Sequence, residues 1–175
     1  MSTTQINLKI RYYGDPCLRK KCKPLARVTD KDRMIFAQMQ EVMRISGGIG
    51  LAATQVGLDK QMIIVDVGEG LVTLVNPKIE KRSGAEFWEE GCLSLPGIYV
   101  KVKRAKKVEV SGLDENGRKV VVTACDLFAC ALQHEIDHLR GKLIIDYASF
   151  MKKIKLKKKL KAFREGACDL SKSEA

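Results

Sequence analysis

The stretch that most constrains this 175-residue chain is Gln133-His134-Glu135-Ile136-Asp137-His138-Leu139-Arg140-Gly141, because His134 and His138 are its only two histidines. On an α-helix, residues four apart share a face, so both imidazoles reach one point in space. Glu135, beside the first, aims a carboxylate at whatever is held there. The H-E-x-x-H spacing implies metal-assisted hydrolysis, with two imidazole ligands and a carboxylate acting on water. The plainer alternative is a surface helix carrying the pattern by chance. That both histidines of the chain fall into it argues for a metal site.

Two imidazoles leave a coordination shell incomplete, so a third protein ligand is required. A histidine six residues beyond His138 would complete one known variant, but Ile144 stands there. The downstream glutamate within range is Glu165, inside a lysine-rich stretch. Cys130 shares the helix, yet it lies eight residues from His138, or about 12 Å at ~1.5 Å rise per residue. That exceeds the roughly 11 Å over which the two side chains can reach a common ion. The ligand therefore comes from another segment. Cys92, in Glu89-Glu90-Gly91-Cys92-Leu93-Ser94-Leu95-Pro96-Gly97, is the best-placed candidate, since the flanking glycines and proline imply a bent or edge strand. Spacing alone leaves the other cysteines open, and a buried structural thiol is the competing reading of Cys92.

A third segment, Gly47-Gly48-Ile49-Gly50-Leu51-Ala52-Ala53-Thr54-Gln55, is weak by itself. It lacks the Lys-Ser/Thr of a phosphate-binding loop. It reads either as a helix stop followed by small packed residues, or as a loop whose backbone lies against an extended peptide with Gln55 donating an amide hydrogen bond.

Periodicity predicts a helix from about Asp30, with Ile35, Met39, Val42 and Met43 on one face and a stop at Gly47-Gly48. Strands are expected at Met62–Val65 and Leu71–Val75, the second ended by Asn76-Pro77. Asn116-Gly117 predicts a hairpin between Val108–Val110 and Val120–Thr123. The histidine helix runs from about Ala124 to Arg140, and a last helix from about Ala148 to Arg164. Strands and hairpins cluster, with helices outside them, which favours an α+β fold. The expected arrangement is antiparallel sheets around a central helix carrying the two histidines, with an N-terminal helix and a basic C-terminal helix.

Taken together, Gly48-Ile49-Gly50-Leu51-Ala52-Ala53-Thr54-Gln55, Glu90-Gly91-Cys92-Leu93-Ser94 and Gln133-His134-Glu135-Ile136-Asp137-His138 resemble, in order, the three motifs of the peptide deformylase family. The resemblance runs from the N-terminal arm to about residue 147. It implies that Cys92, His134 and His138 bind one divalent metal, typically Fe2+, with Zn2+, Ni2+ or Co2+ as substitutes. It further implies that Glu135 is the general base, and that Gln55 and the Leu93 backbone N–H serve the formyl oxygen. The implied reaction removes the formyl group from N-terminal formylmethionine of nascent peptides and releases formate. Leu127 and Cys130 lie seven and four residues before His134, on the same helix face, and with Ile49 are expected to line an apolar methionine pocket. The alternative for Leu127 and Cys130 is ordinary core. Gly50 and Gly91 are expected to hydrogen-bond the peptide backbone.

Composition bounds the remaining alternatives. At 45% hydrophobic and 30% charged the chain holds enough apolar material for a core, which excludes wholesale disorder. No apolar run approaches membrane-spanning length. Met1–Asn7 carries neither a basic nor an apolar leader region, so a cytoplasmic protein without a signal peptide is expected. Six scattered cysteines in such a chain read as reduced thiols, most of them buried. Residues 150–175 carry nine of the 32 Lys and Arg against three of the 21 Asp and Glu. The chain therefore divides into a catalytic domain, 1–147, and a basic helix and tail, 148–175. The cations from Lys152 to Arg164 make a ribosomal RNA contact the functional reading and a solvated helix the alternative. Ile154, Leu156, Leu160 and Phe163 form no clean stripe, so membrane binding is not expected; nor is DNA. Two other classes remain in view: a small zincin-type peptidase, and a non-enzymatic RNA-binding protein with a closed four-ligand metal site.

Overall fold

Residues 7–165 are described by the computed structural model. Residues 1–6, Cys168 and the rest of the chain after 165 lie outside the described residues. Strand β2 (Met62–Val65) organises the fold. All four of its residues are buried, and the two-residue period of a strand sends Ile63 and Val65 to one face and Met62 and Ile64 to the other. Both faces therefore need cover. Helix α1 (Asp30–Ile45) covers the Met62 side with Ile35, Phe36, Met39 and Met43. Helix α2 (Asp126–Leu139) covers the other with Ala129, Leu132, Ile136 and Leu139.

The central sheet is antiparallel throughout, in the order β1 (Gly50–Ala52), β2, β3 (Val72–Ser83), β6 (Lys107–Leu113), β7 (Lys119–Cys125). A two-stranded sheet, β4 (Glu86–Glu90) with β5 (Val100–Arg104), lies apart from it. Helix α3 (Phe150–Arg164) closes the described chain. This is the expected α+β arrangement, and the Asn116-Gly117 hairpin forms with Leu113 opposite Lys119. Gly47, with φ +65°, follows α1 at the expected stop.

One expectation is corrected. The strand starting near Leu71 does not end at Asn76-Pro77. Strand β3 continues to Ser83, with its register against β6 shifted between Val75 and Lys78. A bulge absorbs the proline, and Asn76, at φ +52°, exchanges side-chain hydrogen bonds with the Leu25 backbone at 2.8 Å each. On α3 the four apolar residues give no clean single stripe, as expected. Leu156, Leu160 and Phe163 do share one face, and it packs on Tyr13, Val100 and Ile144 in a third apolar cluster. Ile154 breaks the pattern because it is outside that contact, exposed with Phe150 and Met151.

Of the described cysteines, Cys22 and Cys130 are buried, Cys17 and Cys92 half-buried and Cys125 exposed, all unpaired. Burial pushes the Cys17 thiol up to about 12. No described helix is long and apolar enough to cross a membrane.

Candidate metal centre

Three elements bring the site together. Strand β1 and the 3-10 turn after it (Ala53–Val56) carry Gln55; the loop after β4 carries Cys92 and Leu93; α2 carries His134, Glu135 and His138. Residues of the N-terminal arm tie the first two: Arg11 N–H donates to the Gln55 carbonyl at 2.7 Å, and Tyr13 N–H to the Ser94 carbonyl at 2.9 Å. Gln133 pins α2 to the end of β5, accepting from Ala105 N–H and donating to the Ala105 carbonyl, both at 3.0 Å.

The predicted ligand atoms converge. His134 Nε2 lies 3.1 Å from His138 Nε2, and Cys92 Sγ lies 3.3 Å from His138 Nε2. All three donor atoms fall within 4.8 Å of one another. Tetrahedral bonds of about 2.0–2.3 Å put ligand atoms roughly 3.3–3.7 Å apart, so the spacing suits one small divalent ion. Two imidazole nitrogens and one sulfur match a borderline metal such as zinc or iron.

Glu135 is buried against this point, and among the described residues its Oε2 has no hydrogen-bond partner. A buried polar oxygen without a donor costs about 1–3 kcal/mol. Burial pushes the carboxyl up to about 7, against the pull of the His134 charge. Gly50 makes room for it, since a Cβ at position 50 would collide with the Glu135 carboxylate. Likewise a Cβ at Gly48 would sit 2.7 Å from Leu93 Cδ1.

The side-chain amide of Gln55 is oriented by its neighbours. Its Oε1 accepts from Ala52 N–H at 2.8 Å, which turns Nε2 towards Cys92 Sγ at 3.5 Å and Ser94 Oγ at 3.4 Å. Among the described residues, the Leu93 N–H donates to no protein acceptor. Ile49, Gly50, Gly91, Leu127 and Cys130, the remaining residues singled out from the sequence, all line one cleft of about 600 Å³ with His134 and Glu135. Leu127 is 41% exposed there and is not ordinary core.

A second set of residues was not anticipated. Glu90 is buried, and its Oε2 accepts from His134 Nδ1 at 2.8 Å, which fixes the ring's proton on Nδ1 and leaves Nε2 free as a donor to metal. Arg104 holds the same carboxylate by both oxygens, Nε to Oε1 at 2.6 Å and Nη2 to Oε2 at 2.9 Å. Burial works against a charged Glu90, but the hydrogen bonds from His134 and Arg104 outweigh it and hold the group at about 2. Cys130 Sγ also donates to Glu90 Oε1, at 3.3 Å. Trp88, on β4, adds an aromatic wall to the cleft. One signal for Arg104 exists in the sequence: in Val100-Lys101-Val102-Lys103-Arg104 the alternation places residue 104 on the inward side with the valines.

A buried helix presenting two imidazoles and a carboxylate, with a sulfur from a neighbouring loop, is the arrangement of a metal-dependent hydrolase. The family model for polypeptide deformylase matches residues 7–154, and the chain belongs to that family. Its reaction is hydrolytic removal of the formyl group from the N-terminal formylmethionine of newly made proteins. A peptide deformylase of Halothermothrix orenii is 50% identical over 141 residues, covering 79% of this chain and 92% of the relative. That of Caldanaerobacter subterraneus is 47% identical over 137 residues, 78% and 86% of the two chains. Among solved structures, a peptide deformylase from Legionella pneumophila superimposes with a TM-score of 0.85 at 37% identity, covering 91% of this chain and 96% of its own. One from Synechococcus elongatus in complex with actinonin does so with a TM-score of 0.83 at 41% identity, covering 91% and 89%.

Proposed function

We propose that this chain performs the deformylase reaction with Cys92, His134 and His138 as the metal ligands and Glu135 as general base. The observation that carries this reading is the convergence of three donor atoms within 4.8 Å beside a buried, unpartnered carboxylate oxygen. Fe2+ is the ion proposed, with Zn2+, Ni2+ or Co2+ as substitutes, since a Cys-His-His set accepts several borderline metals. When bound, such an ion polarises the formyl carbonyl and brings the pKa of a water towards ~7.

The chain supplies the rest. Glu135 takes the proton from the attacking water and delivers it to the departing amine nitrogen, so that one carboxyl serves both halves of the reaction. Negative charge growing on the formyl oxygen is met by Gln55 Nε2–H and the Leu93 N–H, each donor contributing about 2.7–4 kcal/mol to the transition state. The methionine side chain enters the cleft between Ile49, Leu127 and Cys130. The outer edge of β1, which pairs only with β2 in its sheet, and the backbone at Gly50 and Gly91 bind the peptide as an added strand. Main-chain contacts of that kind ignore side-chain identity, which suits a substrate class as broad as nascent proteins.

Residues 1–147 form the catalytic unit in this proposal, and 148–175 the basic helix and tail. The exposed lysines of α3 meet ribosomal RNA where nascent chains emerge, and the protein acts in the cytoplasm. Against a closed structural metal site stands the cleft itself, which reaches His134 and Glu135. A zincin-type peptidase would need a third ligand downstream of His138, and the third donor here is Cys92, upstream.

Glu135→Gln tests the reading. It should retain one metal per chain and a folded far-UV spectrum while formate release from a formyl-Met peptide falls by about 10²–10⁴. Formate release within threefold of the parent would overturn the assignment.

A further inference from the structure

The ion-pair network behind His134 does not stop at Arg104. Arg104 Nη1 donates to Asp137 Oδ2 at 2.5 Å, and Tyr147 donates its hydroxyl to the same oxygen at 2.6 Å. The guanidinium carbon of Arg104 lies 5.0 Å from the centre of the Tyr147 ring, on its face. Tyr147 ends the 3-10 turn that follows α2 (Ile144–Tyr147), and it is 38% exposed, whereas Arg104 is 6% exposed. A continuous chain of contacts thus runs from the surface to the ligand: Tyr147 hydroxyl, Asp137, Arg104, Glu90, His134 Nδ1.

We propose that Tyr147 is a remote positioning residue for the metal centre, fixing through Asp137, Arg104 and Glu90 the orientation in which His134 presents Nε2. The physical argument is one of unmet valence. Arg104 is buried with two carboxylates: it holds Glu90 by both oxygens and gives its third nitrogen to Asp137. The Asp137 side chain is 13% exposed, and the Tyr147 hydroxyl is the second donor that holds its Oδ2. The ring meanwhile lies against the guanidinium, on its way out to solvent. Loss of the hydroxyl frees Asp137 to rotate towards water, Arg104 follows, and Glu90 then holds the His134 ring less tightly. Groups that orient a ligating histidine typically affect metal affinity by about 10–100-fold, and Tyr147 stands further out, so a change of about 3–10-fold is expected.

This inference rests on the assignment of Cys92, His134 and His138 as ligands, and the test separates the two. Protein loaded with zinc is challenged with excess EDTA, and the rate of zinc loss is measured for the parent, Tyr147→Phe and Asp137→Asn. Phenylalanine keeps the ring against Arg104 and removes only the hydroxyl. In parallel, the imidazole nitrogens are observed by NMR after 15N-histidine labelling, which gives only two ring systems in this chain. The expected result is zinc loss about 3–10-fold faster in both variants, with faster solvent exchange of the His134 Nδ1–H signal and an unchanged far-UV spectrum. Zinc loss within twofold of the parent, together with an unchanged Nδ1–H signal, would overturn the positioning role while leaving the ligands in place. A parent protein that takes up no zinc would overturn the ligand assignment and this inference with it.

Discussion

Two parts of the molecule are rich in charge and use it in opposite ways. Behind the metal centre, Glu90, Arg104 and Asp137 are buried or nearly so, and every charged group is matched by a partner at hydrogen-bonding distance. Along α3, seven lysines and one arginine occupy residues 152–164, and most of their side chains extend into solvent. A buried ion pair is costly to desolvate and contributes little net stability, but it fixes geometry, because any other arrangement leaves a charge unpaired in a dry place. An exposed lysine costs little to hold and specifies almost nothing about its surroundings. The first region has its charges committed to the fold, and the second leaves most of them in solvent.

The largest expected break in that contrast is Arg104→Met. The variant keeps the apolar bulk and strands Glu90 and Asp137 without their common cation. Removing one partner of a buried pair costs about 3–5 kcal/mol. Urea unfolding of parent and variant measures it, and a loss below about 1 kcal/mol would place the Glu90 network among ordinary surface pairs.

Asp32 occupies the middle ground. It is buried near the start of α1, accepts from Thr29 N–H at 2.9 Å as part of a capping box, and pairs with half-exposed Lys60 at 2.5 Å. Burial raises its pKa, and the hydrogen bonds from Lys60 and Thr29 overcome that, so the folded-state value lies below the ordinary 3.8. A carboxyl depressed on folding contributes stability above its unfolded pKa and loses it as pH falls through the folded one. Asp32→Asn should therefore cost about 1.5–3 kcal/mol at neutral pH, the range for hydrogen bonds to a charged group. The urea midpoints of parent and variant should converge as the solution is acidified below the ordinary aspartate range. Curves that stay parallel down to that range would remove Asp32 from the committed class.

The parts of the site that lay open in the sequence are those carried by local chemistry. His134 and His138 sit one helical turn apart on a single element, so their convergence follows from helix geometry alone. Cys92 was the best-placed candidate for third ligand because glycine and proline around it implied a bent or edge strand; it stands instead in the loop after β4, and nothing local tied it to α2. Leu127, Cys130 and Ile49 reach the same cleft, two of them by helical spacing from His134. Glu90, Arg104, Asp137 and Tyr147 were not legible as a set, since they come from β4, β5, α2 and the turn after it and meet only through tertiary packing. Strands β4 and β5 were not predicted: Glu86-Phe87-Trp88-Glu89-Glu90 shows no alternation, although Val100–Arg104 does, and the small sheet is completed by residues 143–163, far along the chain. The passage of β3 through Asn76-Pro77 depends on Leu25, some fifty residues earlier, which no local pattern reports.

The smallest effect on stability should come from α3. Lys152, Lys155 and Lys158 are exposed, and among the described residues none of their ammonium groups has a hydrogen-bond or ion-pair partner, whereas Lys159 donates to the Gly97 carbonyl at 2.8 Å and Lys153 to the Asp146 carbonyl at 3.2 Å. Replacing the three free lysines with glutamine should change unfolding free energy by no more than about 0.5 kcal/mol. Formate release from a free formyl-Met peptide should stay level, because these three side chains are not among the cleft-lining residues. Binding to ribosomes should change in a different coordinate. If each lysine meets one phosphate, the slope of log affinity against log salt falls by about 0.7 per lysine, or about two units for three. Co-sedimentation of parent and triple variant with ribosomes across about 50–200 mM salt reads that slope. Equal slopes would leave the cations of α3 as a solvated face, uncommitted both to the fold and to RNA.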